Sequence, residues 1–362
     1  MVYIHVPFCK SFCTYCDFYS EKCSSKESEQ VQKVYADCVC REIDARREEI
    51  ARTEALRTLY IGGGTPSVLP MELLEQMVSH LGGGRYDEFT IEVNPEDIVR
   101  KGEDYVKGLL ELGVNRVSMG VQSFSDPLLK WMGRRHDSAR ALKAVEILRN
   151  AGVRNLSIDL IFGISIMSDE EWQSSVKRAM ELHPEHISAY QLSIEEGSAL
   201  AQMVSRGEYS ECSEERCREQ YDYLCRQLSE SGYNHYEVSN FALPGREAIH
   251  NGAYWRRLPY VGLGPGAHSY DGVRTRSWNS QELSGWTRQS ETLSDDDCAV
   301  ETVMLGLRTA EGLKEDTLRA CCDSEALEKE LSEGALQKIA GGRIRIPEDH
   351  FFVSDAILRE LV

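Results

Sequence analysis

Missing from this 362-residue chain is any apolar run near the roughly 20 residues that span a bilayer. The opening residues, MVYIHVPFCK, are too short and irregular for a secretory signal, so a cytoplasmic location is the default expectation. Basic charge is in deficit: 41 Lys and Arg stand against 59 Asp and Glu, a net charge of −18. That disfavours general binding to nucleic-acid phosphates or anionic lipid heads, which draw on clusters of Lys and Arg. No internal repeat is visible, and low-complexity text is limited to the acidic SDDD at 294–297. What is left is an ordinary globular composition, 41% hydrophobic and 28% charged. The length allows one large domain and a smaller one.

Twelve cysteines are present, too many for a disulfide framework in a reducing compartment. Nine are scattered and read as small buried hydrophobes, among them the adjacent Cys321-Cys322, a poor chelate. The other three, Cys9, Cys13 and Cys16, crowd into FCKSFCTYCDF. A structural zinc site wants four ligands, usually in two pairs, and no second pair has suitable spacing. Cys212 and Cys217 are separated by four residues of Glu-rich text. A redox pair at Cys13 and Cys16 would leave Cys9 without a role. Three thiolates can also hold a [4Fe–4S] cube, leaving one iron open where an electron-transfer ferredoxin would place a fourth cysteine.

Short β-rich runs at 2–6, 58–63, 89–94, 115–121, 155–161 and 186–192 alternate with helical patterns at 31–50, 72–81, 105–112, 139–150 and 170–182. Six strands with intervening helices predict a parallel α/β array, a partial (β/α)6 barrel whose chemistry gathers at the C-terminal strand ends. Gly113 and Gly152 follow helical text and predict helix ends. A long helix at 214–230 precedes irregular text, 233–296, rich in Gly, Pro, Tyr and Trp. Short helices at 298–307, 314–320 and 324–331, a hairpin across Gly341-Gly342 and a last helix at 354–361 predict a smaller α+β, winged-helix-like module. The expected division is 1–232, 233–296 and 297–362, with the last part packing or capping rather than binding DNA.

The Cys-x3-Cys-x2-Cys spacing, directly after the first strand of a βα array and with Tyr15 before the last cysteine, resembles the radical S-adenosylmethionine (SAM) superfamily. That resemblance implies a [4Fe–4S] cluster on Cys9, Cys13 and Cys16, with SAM chelated at the open iron. YIGGGTPS then resembles the superfamily's glycine-rich SAM loop, which places Gly62, Gly63, Gly64 and Thr65 at the cofactor. Glu92, Gln122, Arg134 and Asp159 fall at or just beyond successive strand ends. In that order they are similar to the SAM pocket of the oxygen-independent coproporphyrinogen III oxidase group, and Tyr3 matches a position near the sulfonium. Arg134 suits the SAM carboxylate, since a guanidinium forks onto that geometry.

Within the group, HNGAYW at 250–255 resembles the His-Asn-x-x-Tyr-Trp signature of the HemW heme chaperones. The likeness implies heme as a third bound group, with His250 as iron ligand and Asn251, Tyr254 and Trp255 around the macrocycle; His235 and His268 are alternative ligands. It also implies heme-accepting membrane respiratory enzymes as partners, reached peripherally, and a homodimer as one possible state. Phe18 belongs to the cofactor-binding set and stands where the decarboxylating oxidases carry a further cysteine. Those oxidases also have a longer segment ahead of the cluster. The alternative function is SAM-dependent decarboxylation of coproporphyrinogen III to protoporphyrinogen IX.

Overall fold

The computed structural model describes residues 1–23, 27–53 and 55–362. Its centre is built from strands β1 (Val2–Val6), β2 (Thr58–Gly63), β3 (Glu88–Val93), β4 (Arg116–Gln122), β5 (Leu156–Phe162) and β6 (His186–Gln191). They lie side by side in chain order, each neighbouring pair parallel. Parallel neighbours need long crossovers, and helices Glu27–Ala45, Met71–His80, Pro95–Leu112, Ser138–Ala151 and Asp169–Glu181 supply them. Gly113 and Gly152 end two of these helices in the left-handed region, as expected.

One helix is longer than its sequence pattern. Pro95–Leu112 starts ten residues ahead of the expected 105, with Asn94 accepting from the Glu96 amide and Pro95 at its first position. Gly102, at φ 73°, interrupts it and divides its periodicity into two shorter pieces.

The stretch expected to be irregular extends the same sheet on both sides. Strands β7 (Asn234–Glu237) and β8 (Asn240–Ala242) add antiparallel beyond β6, while β9 (Val261–Leu263) adds parallel beside β1. The full order is β9-β1-β2-β3-β4-β5-β6-β8-β7, an open sheet rather than a closed barrel. Three more strands, β10 (His268–Tyr270), β11 (Thr275–Asn279) and β12 (Arg288–Thr292), form a separate antiparallel sheet. Each is three to five residues long, too short for a period-2 pattern to stand out among glycines and prolines.

The C-terminal part has helices Asp295–Gly306, Glu315–Cys321 and Ser324–Glu333, then the hairpin β14 (Gln337–Ile339) and β15 (Arg343–Arg345). The short β13 (Leu313–Lys314) pairs on the open side of β15, giving the winged-helix-like arrangement. Among the described residues no helix is long and apolar enough to cross a membrane.

Alternate residues of the parallel strands point to opposite sides. Ile4, Ile61, Ile91, Met119, Ile158 and Leu160 have no exposed surface, all within the hydrophobic core. The other face carries Tyr3, Tyr60, Glu92, Ser118, Asp159 and Ser188, aligned by the strand register.

Candidate functional site

The polar face opens onto a cavity of about 670 Å³, within the range of small-molecule sites. Its far wall is the loop carrying Cys9, Cys13 and Cys16, all three free thiols and partly exposed. Phe8–Cys9 and Glu21–Lys22 pair at the base of this loop. Its tip is tied down by the Thr14 amide and hydroxyl, which donate to the carbonyls of Met132 (2.9 Å) and Trp131 (2.8 Å). Gly133 lies so close beneath that a Cβ there would stand 3.0 Å from the Phe12 carbonyl oxygen. Lys10 reaches the buried Asp97 (3.3 Å), which also takes a close pair from Arg135 (2.6 Å) and a hydrogen bond from Ser67 (3.2 Å). One carboxylate therefore joins the cysteine loop, the segment after the glycines and the stretch after Gly133. Asp97 was missed in the sequence, since an acid in a helix's first turn reads as ordinary.

Among the described residues no three His, Cys, Asp or Glu side chains converge on a point that would hold a single ion. Burial raises the Cys9 thiol and pushes Cys16 up to about 11, and the Arg134 guanidinium donates to Cys13 Sγ at 3.4 Å. At Cys9 the Arg134 charge acts against the rise that burial causes.

The glycine run serves the protein first. A Cβ on Gly63, at φ 107°, would stand 2.6 Å from the His5 ring, and one on Gly64 would stand 2.8 Å from the Phe8 carbonyl oxygen. Gly63, Gly64 and Thr65 line the cavity; Gly62 is absent from its lining. Thr65 Oγ1 lies 3.4 Å from Cys9 Sγ. Glu92 accepts from the Tyr60 hydroxyl (2.7 Å) and the Gly63 amide (3.1 Å), yet burial lifts its carboxyl to about 7. Asp159 is likewise raised by burial, although Ser118 donates to it at 3.2 Å. Gln122 stands at the cavity with φ 68°, a rare backbone state for a residue with a side chain. Tyr3 is set behind the lining, its hydroxyl 3.0 Å from His5 Nδ1. Phe18 is on the rim and 65% exposed.

Arg116 also went unnoticed in the sequence. It lines the cavity while only 3% exposed, and its Nε and Nη1 have no hydrogen-bond partner among the described residues. An Arg at the start of a strand reads as a solvated end; the signal that marks it is its register, on the same face as Glu92 and Ser118.

The HNGAYW segment forms a short helix, Ile249–Trp255, whose first amides, of Ile249 and His250, donate to the Glu88 carboxylate (2.8 and 3.0 Å). His250, expected to ligate iron, stands near the start of this helix. Its ring has no exposed surface; Nδ1 pairs with Thr58 Oγ1 (2.8 Å) and Nε2 with the Tyr254 hydroxyl (3.0 Å). Burial drives its pKa down to about 3, which leaves the ring neutral. Asn251 lines the cavity, whereas Tyr254 and Trp255 do not.

Comparison with known proteins places these features in context. Residues 3–179 match the Radical SAM superfamily. The heme chaperone HemW of Synechocystis sp. is 36% identical over 328 residues, covering 86% of this chain and 78% of that protein. The heme chaperone HemW of Mycobacterium tuberculosis is 34% identical over 100% of this chain and 94% of its own length. The structure of coproporphyrinogen III oxidase from Escherichia coli, a radical SAM enzyme, superposes with a TM-score of 0.77 at 21% identity, covering 99% of this chain and 89% of that one. This last likeness is one of fold.

Proposed function

The chain belongs to the HemW family of the radical SAM superfamily, and from that premise we propose that it is a heme carrier with a cluster and SAM site in the cysteine-lined cavity. The observation that carries the reading is three free thiols on one cavity wall, facing a polar sheet face that holds Glu92 and Asp159. Cys9, Cys13 and Cys16 would hold a [4Fe–4S] cluster, and Arg134 beside Cys13 would meet the SAM carboxylate. Gly63, Gly64 and Thr65 offer backbone and hydroxyl groups, while Glu92, Gln122 and Asp159 offer acceptors for the amino group and ribose hydroxyls. Tyr3 stands behind the lining and acts through its neighbours. When bound, the cluster supplies an electron and an open iron position, and SAM supplies a sulfonium that accepts that electron.

Heme is the cargo, handed to membrane respiratory enzymes through a protein contact or from the membrane surface. The test is anaerobic reconstitution with iron and sulfide followed by hemin titration. A cluster absorbance lost in Cys13→Ser, with saturable hemin binding in the wild type, is expected. A wild type that binds no hemin saturably but converts coproporphyrinogen III would overturn the carrier reading.

A further inference from the structure

Three arginines line the cavity, and their surroundings differ. Arg135 is committed to Asp97, while Arg134 donates to the Gly120 carbonyl and to Cys13 Sγ. Arg116 is almost fully buried, and among the described residues it makes no ion pair and leaves Nε and Nη1 without acceptors. A guanidinium kept from water without a counter-charge is costly to the fold. Thr90 stands opposite Arg116 on β3, and its buried hydroxyl is likewise without a partner among the described residues.

The neighbouring groups do not supply the missing charge. Of the acids on this sheet face, Glu92 is taken by the Tyr60 hydroxyl and the Gly63 amide. Asp159 accepts from Ser118 and Ser157. It feels the Arg116 charge, which works against the rise that burial causes, but the two do not pair. Burial and then the Arg116 charge hold the His186 ring well below its ordinary pKa, so that neighbour is neutral.

Depth separates Arg116 from the other two arginines. It is the first residue of β4, and Gly120, whose carbonyl takes Arg134, comes four residues later. At about 3.3 Å per residue their backbones lie roughly 13 Å apart along the strand. Arg134 therefore serves the cysteine end of the cavity and Arg116 the opposite end. SAM carries one carboxylate, which Arg134 meets beside the cysteines, and the inner arginine is left for another anion. Paired N–H donors of a guanidinium match the two oxygens of a carboxylate. The HNGAYW helix closes this inner end. Thr58 and Glu88, which open β2 and β3, hold it through the His250 ring and its leading amides, and Asn251 lines the cavity. Just before that helix the Ala248 amide donates to the Tyr236 hydroxyl, which also pairs with His186.

We propose that Arg116 anchors a second carboxylate site, at the end of the cavity away from the cysteines, for a ligand other than SAM. This rests on the cluster and SAM reading above, which gives the SAM carboxylate to Arg134. Two sources share the chemistry, a propionate of heme and a free organic acid. The experiment uses the reconstituted full chain as wild type, Arg116→Gln, Arg116→Lys and Arg134→Gln, titrated with hemin, hemin dimethyl ester, succinate and SAM. An unchanged cluster absorbance will show that each Arg116 variant is folded. Wild type is expected to bind hemin about 10- to 100-fold tighter than the ester, the effect of one charge-assisted pair. Arg116→Gln should bind the two alike, and Arg116→Lys should keep part of the difference. Saturable succinate binding lost in Arg116→Gln, with hemin and ester bound alike by the wild type, would assign the site to a free acid. Equal binding of hemin and ester without saturable succinate binding would overturn the proposal. So would an Arg116→Gln that weakens hemin and ester equally, or that weakens SAM as far as Arg134→Gln does. A wild type that holds succinate through Arg116 but binds no hemin saturably would overturn the heme-carrier reading and keep the site.

Discussion

The two faces of the central sheet are made by the same strands, residue by alternate residue, and are built on opposite terms. On one face Ile4, Ile61, Ile91, Met119, Ile158 and Leu160 are fully buried beneath the crossover helices. Each such side chain contributes about 1.5–3 kcal/mol through removal from water. On the other face Glu92 and Asp159 have their carboxyls raised by burial, and Arg116 keeps two nitrogens without partners among the described residues. Groups left in that state cost stability. Fully covered parallel strands usually read as continuous apolar runs; here every second residue is polar because that side faces a cavity. The apolar face supports the fold, and the polar face is held in a condition that a polar, charged ligand would relieve.

The contrast is sharpest under truncation. Leu160→Ala should lower the stability of the cofactor-free chain by about 2–5 kcal/mol in urea unfolding. A loss under about 1 kcal/mol would mean that the apolar face is not the principal support.

Across the sheet, Glu92 predicts the opposite sign. Its folded-state pKa of about 7 lies above the ordinary 4.5. Between those values the native state holds a proton that the unfolded chain has released, so stability falls as pH rises through the window. The full drop is roughly 3 kcal/mol. Glu92→Gln should remove that share of the slope, measured as urea midpoints from pH 4 to 8. An unchanged slope would show that Glu92 ionises at its ordinary pKa.

A smaller effect is expected where the cysteine loop is tied to the sheet. Asp97→Asn should cost about 1.5–3 kcal/mol and speed amide exchange in the loop from Cys9 to Cys16. Protection of that loop left intact would locate its anchor elsewhere. Least affected should be Tyr190→Ala, on the cavity rim and 43% exposed. Its stability should stay within about 0.5 kcal/mol of wild type while SAM affinity in the reconstituted protein falls. A large stability loss would show that the rim is part of the core.

Much of this was legible in the chain because it is local. The six parallel strands and the 214–230 helix follow from periodicity over a few residues, and the three cysteines stand within eight. Arg134 and Asp159, singled out by their place at or beyond strand ends, line the cavity. The hydrogen-bond partners of His250 were not legible, because Thr58 and Glu88 lie 192 and 162 residues away. Arg116 was hidden for a related reason: whether a strand residue faces water or a cavity depends on what closes over it.

By itself the sequence determined the thiol spacing and the order of strands and helices, since turn chemistry and hydrophobic period act between near neighbours. Only the tertiary structure decided which polar side chains share the cavity. Whether a polar strand residue meets a partner depends on residues brought from distant strands, and that pairing exists only once the sheet has assembled.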